Sequence, residues 1–164
     1  MQVKIIFGLA LAAAIAAISA LLLMPVPKAP EVRFAELSGN QFSTSELRGK
    51  VVLVNFWATY CGPCLREMPN VIETHRRFAP YGLETVAVAV RKDQPGHVAA
   101  YAEKRALPFR VALDRSGEVA TGFGNVRITP TIFLIGKDGR MLRRYVGEPN
   151  WAEIHRLVER ALAS

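Results

Sequence analysis

Residues 51–58, Val-Val-Leu-Val-Asn-Phe-Trp-Ala, form a β-branched and aromatic run with Asn55 as the one polar member, and the run stops three residues short of Cys61-Gly62-Pro63-Cys64. A strand without polar alternation is covered on both faces, which places it at the centre of a sheet. Past Cys61 the pattern changes period: Leu65, Met68, Ile72 and Ala79 recur every three to four residues, with Val71 and Phe78 alongside, as in an amphipathic helix. A buried strand running directly into such a helix commits the chain to an α/β architecture.

The flanking segments fit that frame. Val32 to Leu37 alternates at the strand period, turns at Ser38-Gly39-Asn40 and resumes at Gln41, which predicts a β-hairpin. Ser43 to Leu47 offers hydroxyl caps for a brief helical turn. Leu83 to Val90 reads as a second buried strand, Gln94 to Ala106 as a helix and Phe109 to Leu113 as a short strand. Gly117 to Gly124 reads as a short helix, and Thr131 to Ile135 as a strand joined through Lys137-Asp138-Gly139 to Arg140 to Val146. A last helix, capped by Asn150, carries Trp151, Ile154, Leu157, Val158 and Leu162 on one face. The expected result is a three-layer α/β sandwich around a mixed sheet whose final hairpin is antiparallel.

The 164 residues suffice for one such domain, and 51% hydrophobic against 21% charged residues excludes intrinsic disorder. Ile5 to Met24 departs from the rest: 20 residues without a charge, interrupted only by Ser19. As a helix this run spans about 30 Å, the hydrocarbon thickness of a bilayer. Residues 1–24 are therefore read as a membrane anchor, with a cleaved signal peptide as the alternative; the apolar stretch is long for a signal, and Ile18 is bulky where cleavage wants a small residue. Three prolines follow at 25, 27 and 30, making residues 25–31 a stiff linker to a domain over 32–164. An anchor at the extreme N-terminus leaves that domain outside the cytoplasm. Without Lys4, the remaining 20 basic residues against 14 acidic ones leave +6. The positive residues are scattered and form no nucleic-acid motif, so no nucleic-acid partner is expected; they read first as a solvated surface, and otherwise as a basic face over anionic lipid or towards an acidic partner.

The chemistry is concentrated in the two cysteines, the only ones in the chain. A purely structural disulfide closing so short a loop is worth at most about 2 kcal/mol. Zinc needs further ligands, and His75, eleven residues beyond Cys64, lies about 16 Å away along a helix. No metal site and no cofactor are expected. A Cys-x-x-Cys pair at a helix start does permit redox exchange, because the helix dipole and the free N–H groups of the first turn favour a thiolate on Cys61. Cys61 is then the nucleophile, and Cys64, one turn further on, attacks the mixed disulfide to release product. Gly62 permits close approach, and Pro63 pre-sets helical φ in the first turn.

The stretch Phe56-Trp57-Ala58-Thr59-Tyr60-Cys61-Gly62-Pro63-Cys64 resembles the active site of thioredoxin, and Ile128-Thr129-Pro130-Thr131 resembles its cis-proline loop. With Gly49 to Trp57, Cys64-Leu65-Arg66-Glu67-Met68-Pro69, the N-terminal anchor and the helix–strand unit after Val90, the chain is most similar to membrane-anchored thiol-disulfide oxidoreductases of the TlpA/ResA type. The resemblance implies a thioredoxin-like fold, a cis Pro130 against the cysteines, and a Thr129 backbone that pairs with an incoming peptide. It also implies a disulfide-bearing protein substrate and a membrane protein as electron donor. Reduction for cytochrome c or copper-centre maturation is the activity expected from it, in the cell membrane with the catalytic domain extracytoplasmic (periplasmic in a Gram-negative cell). Two departures leave the proton-transfer group open. Asn55 stands where thioredoxin has a buried aspartate, and Lys92, beside Asp93, stands where some ResA-like proteins carry a glutamate. Glu67 and Asp93 are the candidates, the bland reading of Glu67 being a first-turn acid that complements the dipole. Trp57 is expected to pack beneath the site, Tyr60 to be exposed towards a partner, and Arg66 either to steady the thiolate or to be solvated; the three histidines are read as surface residues. A metallochaperone holding Cu(I) between the two sulfurs is the alternative function, since soft thiolates select that ion. An interaction scaffold without redox chemistry is a third.

Overall fold

The computed structural model describes residues 27–164 and, before them, Ser19. The anchor expected over residues 1–24 lies outside the described residues, among which no helix is long and apolar enough to cross a membrane.

A two-stranded hairpin comes first, β1 (Arg33–Ala35) antiparallel to β2 (Gln41–Ser43), with Phe34 directly opposite Phe42. A single turn of 3-10 helix, Thr44–Leu47, follows, and the Glu46 carboxylate accepts from the Ser43 N–H at 2.8 Å. The main sheet has the order β5-β4-β3-β6-β7, built from β3 (Val51–Trp57), β4 (Leu83–Ala89), β5 (Arg110–Leu113), β6 (Thr131–Ile135) and β7 (Met141–Val146). β3 is parallel to β4 and antiparallel to β6, so the mixed sheet expected of the sequence is present with β3 at its centre.

Strand alternation divides the buried side chains of β3 between two cores. Val51, Leu53 and Trp57 pack with Met68, Val71 and Phe78 of α1 (Gly62–Phe78), Val98 of α2 (Pro95–Arg105), and Ile154 and Val158 of α4 (Trp151–Ala163). Val52, Val54 and Phe56 pack on the other face against Phe34 and Phe42 of the hairpin and Val119 of the short α3 (Glu118–Gly122). Both faces are therefore dry, which accounts for a run with almost no polar residue. Phe34 stacks on Phe42 at 4.9 Å between centroids and reaches Phe123 at 6.4 Å, so the hairpin covers that face as an aromatic lid, joined to the main sheet by an isolated bridge from Glu36 to Ala112 of β5.

The proline-rich segment is docked on the domain from Pro27 onward. Its carbonyl accepts from the Met141 N–H at 2.9 Å, and the Ala29 N–H donates to Gly139 O at 2.8 Å. The histidines correct the surface expectation in part. His97 is exposed, but His75 and His155 are half-buried, and burial lowers the pKa of each. His155 Nε2 lies 2.9 Å from Thr74 Oγ1, in the seam between α1 and α4.

Candidate active site

β3 delivers the chain to the C-terminal edge of the sheet, and the segment 58–61 turns it into α1. Asp93 fixes that turn. Buried in the loop after β4, it accepts from the Thr59 N–H at 2.5 Å and from Thr59 Oγ1 at 2.6 Å, one bond to each carboxylate oxygen. Asp93 was a proton-transfer candidate on sequence; both its oxygens are instead committed to holding the approach to Cys61.

Cys61 is the N-cap of α1, and Cys61 and Cys64 are joined in a disulfide. Their environments differ. Cys61 retains 9% of its surface exposed and Cys64 none. The Cys64 backbone N–H points at the Cys61 sulfur from 3.2 Å, one of the first-turn donors that lack an intrahelical partner. Pro63 occupies the first turn, where its missing N–H costs nothing. The close approach expected at Gly62 is not made by the chain's described residues: a Cβ there would meet nothing closer than Arg66 Nη1 at 3.6 Å. Among the described residues, nothing at this position requires glycine.

Facing the cysteines is the loop into β6, where the Thr129–Pro130 peptide is cis. The Thr129 carbonyl oxygen lies 3.6 Å from Cys61 Sγ, a contact the disulfide sulfur makes without a proton to donate. The loop is held from both ends: Thr131 Oγ1 donates to Ile128 O at 2.7 Å, and the Gly147 N–H donates to Pro130 O at 2.8 Å. Tyr60 and Ile128 stand out of the surface beside this junction, 62% and 59% exposed.

Beneath the disulfide the helix-side core carries polar groups. Trp57 is fully buried and packs on Tyr101 at 5.1 Å between centroids, as expected of a residue under the site. Asn55, on the same face of β3 by alternation, is also fully buried. Glu67 lies one helical turn beyond Cys64 and so on the same side of α1. It is only 3% exposed, and neither carboxylate oxygen has a hydrogen-bond partner among the described residues. Burial, with a smaller contribution from the charge of Glu148, pushes its pKa up to about 8. A first-turn acid complementing the helix dipole would be solvated; Glu67 is enclosed, and α1 has no acid in its first turn. Arg66 points outward into an exposed ion pair with Glu148 at 2.7 Å in the disulfide state, where Cys61 carries no charge for it to meet. Glu148 and Gly147 had no signal in the sequence, because they reach the site from the loop between β7 and α4.

A disulfide at the N-terminus of the helix that follows a central strand, set against a cis-proline loop, defines a dithiol–disulfide site on a thioredoxin fold. Comparison with known proteins agrees: the redoxin family profile matches residues 26–159. Thiol-disulfide oxidoreductase ResA of Geobacillus kaustophilus is 36% identical over 131 residues, covering 80% of this chain and 74% of that protein. The ResA of Bacillus thuringiensis is 30% identical, covering 81% and 76% respectively. Among solved structures, a putative thioredoxin from Neisseria meningitidis superposes with a TM-score of 0.78 at 34% identity, covering 85% of this chain and 93% of that one. A thiol:disulfide interchange protein from Chlorobium tepidum gives 0.76 at 29% identity, covering 84% and 97%. The chain belongs to the redoxin family and is a ResA-like thiol-disulfide oxidoreductase of the thioredoxin superfamily.

Proposed function

We propose that this oxidoreductase works as a reductase on protein disulfides outside the cytoplasm, held at the membrane by residues 1–24. The observation that carries the assignment of roles is the asymmetry of the pair: Cys61 is accessible and receives an N–H, while Cys64 is enclosed. The Cys61 thiolate attacks one sulfur of the client disulfide, forming a mixed disulfide and expelling the other client sulfur, which takes up a proton. Cys64 then loses its proton and attacks Cys61 Sγ; the Cys61–Cys64 bond forms, the client leaves as a dithiol, and two electrons have passed to it.

Glu67 is the group we assign to the Cys64 proton. Asp93 is occupied, Asn55 cannot accept a proton, and a buried carboxyl one turn from Cys64 is the remaining acid. With its pKa pushed up to about 8, the ionised fraction of Glu67 takes the Cys64 proton, so resolution quickens as pH rises towards 8, and the departing client thiolate takes up a proton from solvent. Thr129 and Pro130, with Tyr60, form the surface on which the client strand is received, and Trp57, Gly62 and Pro63 shape its floor.

An oxidising compartment does not keep a dithiol reduced, so the reading calls for a membrane protein that delivers electrons. Maturation of cytochrome c or of a copper centre is the destination suggested by the resemblance to the TlpA/ResA type. The test is direct: the reduced protein should turn over insulin disulfides with dithiothreitol as donor, at a potential near or below roughly −200 mV. A strongly oxidising potential would assign disulfide formation instead. Stoichiometric Cu(I) retention without exchange would assign the metallochaperone alternative. A Cys64→Ala variant that captured no partner in membranes would favour the scaffold.

A further inference from the structure

A groove of about 810 Å³ leads away from the redox site, starting between Tyr60 and Thr129 and running under Arg91, Lys92 and Arg127. Its charges are one-sided. All three cations are exposed, and none forms an ion pair among the described residues, a condition they share with Arg76, Arg156 and Arg160; what distinguishes them is that they line one cleft beside Cys61. The one acid in the lining, Asp114, is buried and spent: its two oxygens accept from the N–H groups of Val119 and Ala120 at 3.1 and 2.9 Å, capping α3. Three cations brought together from two separate loops thus line one cleft without an ion-pair partner among the described residues, against the single enclosed carboxylate of Asp114. At the groove's mouth the exposed Tyr60 and Ile128 supply apolar contact beside Cys61.

We propose that this groove selects the client: it takes the extended segment next to the client's reactive cysteine, with an apolar residue at Tyr60 and Ile128 and carboxylate side chains further along, against Arg91, Lys92 and Arg127. The inference rests on the exchange reading of the same site and adds to it a substrate class, an acidic disulfide-bearing peptide. Complementary charge in a cleft raises local substrate concentration and association rate, and it does so only while salt is low.

The test uses the reduced full chain in detergent and three peptides that are disulfide-linked homodimers, identical except for acidic, neutral or basic residues flanking the cysteine. Each turnover consumes one dithiol and one peptide disulfide and yields two peptide thiols and the Cys61–Cys64 disulfide; total thiol is unchanged, so the rate is read from the conversion of peptide dimer to monomer by chromatography of acid-quenched samples. The acidic peptide should react about tenfold faster than the basic one at low ionic strength, and the ratio should collapse in high salt. The triple variant Arg91→Gln, Lys92→Gln, Arg127→Gln should lose most of that ratio. The variant Arg76→Gln, Arg156→Gln, Arg160→Gln removes the same charge from α1 and α4, outside the groove, and should keep it. Equal rates for all peptides, or the same loss of preference in both variants, overturns the groove as the selector. If the folded protein reduces no peptide of any charge, the exchange reading fails and the proposal with it.

Discussion

The backbone N–H of Cys64 lies 3.2 Å from the Cys61 sulfur, so the residue that contributes the buried sulfur also supplies the dipole that holds charge on the accessible one. The two cysteines differ by position on one helical turn rather than by distant machinery. Substituting Cys64 by Ala keeps that N–H, so Cys64→Ala should still attack clients and accumulate mixed disulfides, whereas Cys61→Ala should form none. Non-reducing gels of membranes carrying each variant distinguish the two; trapping by Cys61→Ala alone would reverse the roles.

Glu67 makes stability depend on pH in a defined direction. Its carboxyl is raised to about 8 in the folded protein by burial and then by Glu148, while the unfolded chain titrates near the ordinary value of 4.5. Between those values the folded state binds the extra proton, so stability is highest below the unfolded pKa and declines as pH rises, by up to about 1.4 kcal/mol per pH unit from this group, levelling above the folded pKa. Glu67→Gln should flatten that decline in urea unfolding of the oxidised protein at pH 5 and pH 8. An unchanged slope would contradict the assignment.

Glu148 offers a gentler handle on the same carboxyl. Its ion pair with Arg66 is exposed, so Glu148→Gln should change stability at neutral pH by less than about 1 kcal/mol. Removing its charge should nonetheless lower the Glu67 pKa, moving the pH dependence of Cys64 resolution to lower pH. Stopped-flow rates across pH for both proteins check this, and superimposed profiles would count against it.

Asp93 is a positioning residue. Asp93→Ala leaves the Thr59 N–H without its acceptor, a loss of about 1–3 kcal/mol. Thr59 leads directly to Cys61, so exchange should slow as well. Asp93→Asn retains one acceptor and should recover part of the stability; equal unfolding midpoints for Ala, Asn and the unaltered protein would refute the role.

What could be read in advance followed the physics of pattern. β3 was legible because burial on both faces removes polar residues, and α1 because its apolar face repeats at the helical period. The hairpin was legible as two strands, but its separation from the main sheet was not, since alternation at Phe34 and Phe42 reports half-burial without naming the covering surface. The cysteine pair stood out on spacing alone. Its supports did not: Asp93 meets Thr59 across 34 residues of sequence, and Gly147 meets Pro130 from beyond β7. Glu67 could be named as a proton-transfer candidate beside Asp93, but the choice between them and the burial of Glu67 could not be read, because a single sequence does not say which side of α1 closes against the sheet. His75 and His155, read as surface residues, are half-buried; His155 lies in the seam between α1 and α4, which neither helix's own pattern identifies.

The central claim is that Cys61 is a thiolate near neutral pH while Cys64 is shielded. Reducing the protein and following iodoacetamide alkylation of each cysteine by mass spectrometry from pH 4 to 10 tests it most directly. Cys61 should be modified first, with a midpoint well below the ordinary thiol value of about 8.5, and Cys64 should stay unmodified while the fold is intact. A Cys61 midpoint at or above that value, or faster labelling of Cys64, would contradict the account.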